Sequence, residues 1–259
     1  MTDTTVLPPS QLPMIGRLTL PELLAAIKAG IYDFKRAPQF GLFFASVYVI
    51  VGFLLLALGA GHVSWVLATS LGFPLAAPFA AVGLYEVSRR LENGSPLVWP
   101  EILGVIWAER TRQIPWMGAI IAIYFLFWTF LAHMIFAVFM GLSTMTNVLT
   151  SYEVFLTPNG LSMIAFELAI GAVLAFFLFS MTVVSLPLLL EKEIDFISAM
   201  LLSIRCVAAN LPVMLFWAFV IGFTTLLAIM PLFLGLFIVL PVLGHATWHI
   251  YRRALYDPV

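Results

Sequence analysis

The sequence predicts an all-α integral membrane protein, a single bundle of six transmembrane helices. Three observations predict this fold class. The 259 residues are 63% hydrophobic and only 10% charged, whereas soluble domains average about 25% charged residues. Six apolar runs come close to the roughly 20 residues that a membrane-spanning helix needs. The lysines and arginines are confined to alternate connections between these runs, as the positive-inside rule requires.

The apolar runs occupy residues 40–59, 64–86, 115–140, 161–190, 211–229 and 231–250. No charged residue separates the last two. The segment from Leu211 to Ile250 is too long for one crossing at about 1.5 Å per residue. Proline cannot donate a backbone hydrogen bond and often begins a helix. We therefore place a turn at Met230-Pro231, the least firmly located of the predicted connections.

The cations support this count independently. With six spans, all twelve lie on the side that carries both termini, at positions 17, 28, 35, 36, 89, 90, 110, 112, 192, 205, 252 and 253. The opposite turns, near residues 60, 141–160 and 230, contain none. We therefore expect both termini in the cytoplasm. Residues 1–18 are predicted to be a disordered polar tail, and residues 19–259 a single transmembrane domain.

A short segment with helical signals precedes each odd-numbered span. The three segments read TLPELLAAIKAGIYDFKRAP, SPLVWPEILGVIWAERTRQIP and DFISAMLLSIRCVAANLP. Thr19 and Glu22 are spaced for a capping box, and Asp195 is placed to cap the third segment. Each segment ends at a proline, which pushes the preceding residue out of the helical conformation. The chain therefore predicts three units, each with an amphipathic surface helix, a bend and two spans.

The ends of the second and sixth spans resemble each other. Residues 77–91 read APFAAVGLYEVSRRL and residues 240–254 read LPVLGHATWHIYRRA, with a proline and an arginine pair in register. Internal duplication is one explanation. The other is that any span ending at a cytoplasmic interface attracts aromatic residues and arginines. The sequence leaves both open.

Three stretches resemble a known family. They are AGIYDFKRAPQFGLFFASVYVIVG (29–52), MLLSIRCVAANLPVMLFWA (200–218) and GHATWHIYRRAL (244–255). The family consists of bacterial predicted integral membrane proteins whose domain is named as one of unknown function. The resemblance implies six helices and a bacterial inner membrane, and it provides no catalytic residues. Some relatives carry oxidase-subunit-like labels, which the histidines of this chain do not support.

His245 and His249 are the candidates for a metal or haem site, because residues four apart share a helix face. Two axial ligands of one haem must approach from opposite faces, which these neighbours cannot do. His62 and His133 belong to the opposite half of the membrane. A metal would need carboxylates from other helices. The favoured interpretation is a pair of interfacial histidines hydrogen-bonded to a neighbouring helix or to headgroups.

Two polar pairs are further candidates for function. The alignment of the second and sixth spans places Glu86 opposite His249, so the two could pair and exchange a proton at the cytoplasmic mouth. His133 and Glu167 both fall toward the outer half of the membrane, where ionisable residues are costly and typically functional. The alternative for each pair is a structural role or contact with water and headgroups.

Six cations flank the apolar faces of the surface segments: Lys28, Lys35, Arg36, Arg110, Arg112 and Arg205. This combination suits lipid headgroups or a protein partner. The alternative is that the segments only pack beneath the bundle.

The sequence carries no phosphate-binding loop, zinc-protease motif, serine-hydrolase elbow or cysteine pair. We expect no catalytic residue and no cofactor, and the net charge of −1 gives no indication of nucleic acid. We expect a non-enzymatic accessory, assembly or scaffold protein of the bacterial inner membrane. Its partners would be the lipid bilayer and another membrane complex, with a respiratory complex as one candidate. A transporter or channel for a small or apolar solute is the second expectation.

Overall fold

The structure is a computed structural model, and it describes residues 12–57, 63–141 and 155–257. This part of the chain is almost entirely helical, which confirms the all-α class. Its helices are α1 (Leu20–Arg36), α2 (Pro38–Ala57), α3 (Val63–Glu92), α4 (Trp99–Glu109), α5 (Ile114–Met140), α6 (Pro158–Thr182), α7 (Ser185–Glu191), α8 (Phe196–Ala209), α9 (Leu211–Ile229) and α10 (Leu236–Ala254). Two short strands, β1 (Met14–Ile15) and β2 (Leu255–Tyr256), accompany them.

The three predicted surface segments form α1, α4 and α8, and an apolar helix follows each one at a proline. Pro38 begins α2, and Pro115 and Pro212 lie in the first turns of α5 and α9. The axes of α1 and α2 are bent by 100° at this junction. The sequence signals act locally, because a proline early in a helix loses no hydrogen bond and also ends the preceding helix.

The predicted caps are present at two of these helices. The backbone N–H of Thr19 donates to Glu22 Oε2 at 2.7 Å, and the backbone N–H of Ser198 donates to Asp195 Oδ1 at 2.8 Å. Each carboxylate satisfies an amide that would otherwise lack a partner at the start of the helix. The hydroxyl of Thr19 also donates to Glu22 Oε2 at 2.7 Å, and this bond, with that of the backbone, lowers the pKa of Glu22. The bond from the Ser198 amide lowers the pKa of Asp195.

Three ranges are long and apolar enough to cross a membrane: α5, the range Pro158–Glu191 that contains α6 and α7, and α9. The bent pair of α1 and α2 makes a fourth candidate in the described part of the chain. Helices also occupy the second and sixth predicted spans, as α3 and α10. The count of six crossings stays a prediction, and the turns predicted near 60 and 141–160 fall largely outside the described residues.

The last predicted turn is present but is longer than predicted. Helix α9 ends at Ile229, next to the predicted turn, but α10 begins at Leu236 and not at Pro231. Leu232 and Phe233 have φ angles of 52° and 64°, which non-glycine residues rarely adopt. The ring of Phe233 lies over Gly52 of α2, where a Cβ would be only 2.7 Å from it. This packing supplies the physical reason for the longer turn.

The boundary predicted after residue 18 is also wrong in part, because residues 12–18 are folded against the rest of the chain. Strand β1 pairs antiparallel with β2, and Met14 lies opposite Tyr256. The backbone N–H of the buried Leu18 donates to Asn210 Oδ1 at 2.6 Å. A disordered tail is therefore contradicted for 12–18, and residues 1–11 lie outside the described residues. The strand pair brings the N-terminal segment and the C-terminal end of α10 side by side.

Helix α10 is central to the packing and contacts α1, α2, α3 and α9. Its closest neighbour is α1, since a Cβ on Gly30 would lie 2.5 Å from the backbone nitrogen of Ala246. Trp217 of α9 and Trp248 of α10 are fully buried in the core around it. By contrast, α5 and α9 expose many large apolar side chains, which is the normal condition of a surface that faces lipid.

Candidate functional site

The C-terminal turns of α3, α7 and α10 meet at one end of the bundle, which we call the charged end. Arg252 lies 2.8 Å from Glu191 of α7 and 3.3 Å from Glu92 of α3. The indole of Trp248 donates to Glu92 at 2.9 Å, and the hydroxyl of Tyr251 donates to Glu191. Side chains of three helices that are distant in sequence are thereby joined.

Beside these ion pairs lies a buried group that we call the polar cluster, formed by Asp33 of α1, Ser88 of α3, and His245 and His249 of α10. Ser88 Oγ is 2.8 Å from both Asp33 Oδ2 and His245 Nδ1. His249 Nε2 is 2.8 Å from the same oxygen of Asp33. Ser88 and His245 are fully buried and Asp33 is 5% exposed. The cluster therefore connects three helices through hydrogen bonds that are largely shielded from water.

The supply of hydrogens in the polar cluster fixes the form of His245. A carboxylate has no hydrogen to donate, and a serine hydroxyl has only one. Ser88 therefore donates to Asp33, and its oxygen accepts from Nδ1–H of His245. A neutral ring protonated at Nδ1 leaves Nε2 as an acceptor, and this buried atom has no hydrogen-bond partner among the described residues.

This arrangement is suited to holding protons and poorly suited to other chemistry. A serine nucleophile must reach its substrate, whereas Ser88 is fully enclosed. The described residues contain no group of three or more His, Cys, Asp or Glu side chains that could hold a metal ion. Asp33 and His249 form a carboxylate–imidazole contact, and the side chain of His249 keeps 14% of its exposure to solvent. A proton can therefore reach the cluster at His249.

The structure does not form the predicted pair of Glu86 and His249. Glu86 is fully buried on α3 and binds Arg89 and Arg90 of the same helix, each at 2.7 Å. His249 contacts Asp33 instead. Partners three and four residues away on the same helix are available to Glu86 without any tertiary contact, so the alignment of the two spans chose the wrong acid.

His245 and His249 do share one side of α10, as their spacing predicts, but they bind different partners. His245 contacts Ser88, and His249 contacts Asp33. Each ring therefore uses one nitrogen in a separate hydrogen bond, and the described residues contain no group of three that could hold a metal ion. Among the described residues their arrangement matches the hydrogen-bonded interpretation of the pair.

His133 and Glu167 lie on neighbouring helices α5 and α6, within range for their charges to interact. They form no hydrogen bond or ion pair with each other. The exposed His133 Nδ1 is 2.7 Å from the carbonyl oxygen of Thr129 on its own helix, and Glu167 is partly exposed. The pair is therefore not assembled into a site in this structure.

The six predicted contact cations divide into two groups. Lys28, Lys35, Arg36, Arg110 and Arg205 are exposed and form no ion pair within the described part of the chain. Two of them lie over aromatic rings, Arg36 at 5.6 Å from the centre of Tyr32 and Arg110 at 3.6 Å from that of Trp107. Arg112 differs, because it binds both Glu109 and Glu193.

Asp33 and Ser88 are the members of the site that the sequence analysis missed. A usable signal exists for Asp33, since the buried residues of α1 are Leu23, Ala26, Gly30 and Asp33. These positions are three or four residues apart and follow one face of the helix. Asp33 therefore lies on the same helix face as Leu23, Ala26 and Gly30. Ser88 carries no comparable signal, because one serine before an arginine pair is unremarkable.

A second feature lies between α2, α3, α5 and α6, where an apolar cavity of about 210 Å³ is lined by Tyr48, Ala81, Ile121, Phe125 and other residues. The hydroxyl of Tyr48 donates to the carbonyl oxygen of Ala77 at 3.1 Å. Ile121 is seven residues into α5, which corresponds to a depth of about 10 Å in a hydrocarbon core of about 30 Å. The cavity thus lies about two turns into this candidate membrane span.

Comparison with known proteins finds a match to one family model. Residues 66–191 match the family model described as "Predicted integral membrane protein (DUF2189)". No curated protein and no solved structure matches the chain. The matched range runs from α3 to α7 and lies between the stretches 29–52 and 200–218 that first indicated the resemblance. Together with the apolar helices, the match confirms that the chain is an integral membrane protein, and its residues 66–191 are similar to the DUF2189 family.

Proposed function

We propose that the protein is a non-enzymatic accessory or scaffold component of the membrane that binds anionic lipid headgroups through α1, α4 and α8. One observation carries this proposal. Arg89, Arg90, Arg112, Lys192 and Arg252 are bound to acidic side chains. The five exposed cations on or directly after the surface helices have no such partner among the described residues, so they are available to lipid phosphates.

The surroundings of these cations support the same function. Exposed apolar side chains accompany them on each surface helix, with Leu24 and Tyr32 on α1, Trp107 on α4 and Leu201 on α8. A helix that combines basic and apolar side chains on its exposed surface is typical of the membrane interface. Each Lys or Arg near an anionic leaflet contributes about 1 kcal/mol to the attraction.

Native mass spectrometry of the full chain with bound phospholipid tests this proposal. The double substitution Lys28→Gln and Lys35→Gln should reduce retention of phosphatidylglycerol by at least about fivefold, because two unpaired charges are lost. The double substitution Lys192→Gln and Arg252→Gln removes the same net charge from paired positions and is the matched control. An equal reduction in both variants would attribute binding to net charge and contradict the role of the surface helices.

We further propose six crossings, both termini in the bacterial cytoplasm, and a partner complex in the same membrane. The pairing of β1 with β2 supports an even number of crossings, since it joins the two ends of the chain. Reporter fusions at each terminus test the topology, and activity of a periplasmic reporter at either end would overturn it.

Co-purification in a mild detergent tests the partner, and isolation of the protein alone would argue against a complex.

A second candidate function, transport of a small apolar solute, is favoured by the cavity next to Tyr48. Its polar side chains bond to backbone carbonyls, as Thr182 also does to Leu178 at 2.8 Å, so it favours an apolar occupant over water. Ala81→Leu would fill the cavity, and Ala57→Leu is a control outside it. Transport predicts loss of solute flux in proteoliposomes only for Ala81→Leu. Identical flux in both variants would exclude the cavity as the route.

A further inference from the structure

We propose that the polar cluster is a proton-binding site and that a proton held between His249 and Asp33 strengthens the attachment of α1 to the bundle. This proposal does not depend on lipid binding, since it concerns how α1 is held and not what α1 contacts outside the protein.

The first argument is the position of the cluster. Asp33 is the only titratable residue on the buried face of α1, and its two partners there belong to α3 and α10. Gly30, one turn earlier, brings the backbone of α1 against that of α10 at Ala246. The bonds of Asp33 therefore connect directly to the interface that fixes α1 in place.

The second argument is the balance of charge around His249. Asp33 faces it from α1, and His245 lies one turn away on α10. Arg253 donates to the carbonyl oxygen of His249 at 2.8 Å. The charged groups of α3, α7 and α10 bind one another here: Glu86 with Arg89 and Arg90, and Glu92 and Glu191 with Arg252. The cations of α1, which are Lys28, Lys35 and Arg36, lie on its exposed side. Helices α2 and α9, which also pack against α10, contain no acidic, basic or histidine residue.

The direction of the effect follows from this balance. A hydrogen bond between two charged groups is roughly twice as strong as one between neutral groups, and a buried charge without a counterion is costly. Protonated His249 supplies that counterion to Asp33, whereas neutral His249 supplies only a hydrogen bond. Histidine changes charge between about pH 5 and 8. The attachment of α1 should therefore be firmer at pH 6 than at pH 8.

The role of His245 is different. Its Nδ1–H is committed to Ser88, and its buried Nε2 has no hydrogen-bond partner among the described residues. A proton placed there would create a buried charge with an unsatisfied donor. His249, which retains contact with solvent, is the member that takes up the proton.

Hydrogen–deuterium exchange of the full chain in phosphatidylcholine nanodiscs tests the proposal without anionic lipid. Protection of the amides of α1 is measured at pH 6 and pH 8 and divided by that of α8, so that the intrinsic pH dependence of exchange cancels. We expect the ratio to fall about fivefold at pH 8. An unchanged or rising ratio would overturn the proposal.

Two variants identify the group responsible. His249→Gln retains a donor toward Asp33 but cannot be charged, and it should remove the pH response. His133→Gln, on α5 and outside the polar cluster, should keep it. A response that persists in His249→Gln, or disappears in His133→Gln, would overturn the assignment. If His249→Gln does not fold, Asp33→Asn gives the same readout, since it removes the charge that the proton balances.

Discussion

Helices α1 and α4 hold equivalent places in the three-part pattern of the chain, yet they are attached to the bundle by different means. Gly30 lets α1 touch the backbone of α10, and Asp33 inserts a buried carboxylate between α3 and α10. The attachment of α4 relies on Ile102 and on ion pairs at its rim, such as that of Glu101 with Arg90, where Glu101 is 53% exposed. The three-part pattern therefore repeats the order of surface helix, bend and apolar helix, but it does not repeat the interactions that attach the surface helix to the bundle.

This difference predicts which surface helix is stable and which is sensitive to conditions. Close packing and shielded hydrogen bonds respond little to salt, whereas partly exposed ion pairs are weakened by it. We expect α1 to behave as part of the core and α4 as a more loosely held element.

The largest expected effect comes from the buried carboxylate. Asp33→Ala removes the acceptor of both Ser88 and His249 and should lower the free energy of unfolding by about 3 kcal/mol. Glu101→Ala, the exposed acid of α4, should cost less than about 1 kcal/mol. Denaturant titration of the full chain in bicelles measures both. Similar losses for the two variants would show that the helices are attached in the same way.

The second largest effect is the change in the free energy of unfolding on replacing a glycine by alanine, and it should have opposite signs in the two helices. Gly30→Ala forces a Cβ to within 2.5 Å of the Ala246 nitrogen, and overpacking of this kind costs about 1–3 kcal/mol. A Cβ on Gly104 of α4 would have no neighbouring atom within 4 Å, so Gly104→Ala should stabilise the helix by about 0.5–1 kcal/mol. The same titration tests both, and stabilisation by Gly30→Ala would disprove the close contact.

A smaller effect is expected from ionic strength. An increase from about 0.01 M to 1 M salt shortens the screening length from about 30 Å to 3 Å. Amide exchange in α4 should become several-fold faster, since the pair of Arg90 with Glu101 is weakened. Exchange in α1 should change by less than about twofold. Acceleration of both helices to the same degree would contradict the comparison.

The features that the sequence predicted correctly are local ones. The capping box at Thr19, the cap at Asp195 and the prolines that begin α2, α5 and α9 each act within one turn of helix. Helical spacing alone also indicates the correct partners of Glu86, because Arg89 and Arg90 are three and four residues away on the same helix. The alignment of two distant spans was the weaker guide, and it assigned Glu86 to His249.

The polar cluster could not be predicted in the same way, because its bonds join residues far apart in the chain. Ser88 is 55 residues from Asp33 and 157 from His245, and His249 is 216 residues from Asp33. Hydrophobic periodicity does not identify the buried face of α1 either, since Leu20, Leu24 and Ile31 are exposed while Ala26, Gly30 and Asp33 are buried. The turn before α10 is longer than predicted for a similar reason, since Phe233 packs on Gly52 of a distant helix.

The smallest effect concerns the one buried charge of α4 in the described structure. Glu109 binds Arg112 through Oε1, and its Oε2 has no partner. Burial raises the pKa of Glu109, so the folded protein holds this proton more tightly than the unfolded chain does. The resulting stability is fully present below the unfolded value of about 4.3 and is lost as the pH rises through the raised value. Glu109→Gln cannot ionise and should therefore gain slightly in stability relative to the wild type as the pH rises above about 4.3. Glu101→Gln on the same helix should show no such trend, because its side chain remains largely in water. A gain of equal size in both variants would mean that α4 carries no buried charge and is attached only by its exposed ion pairs.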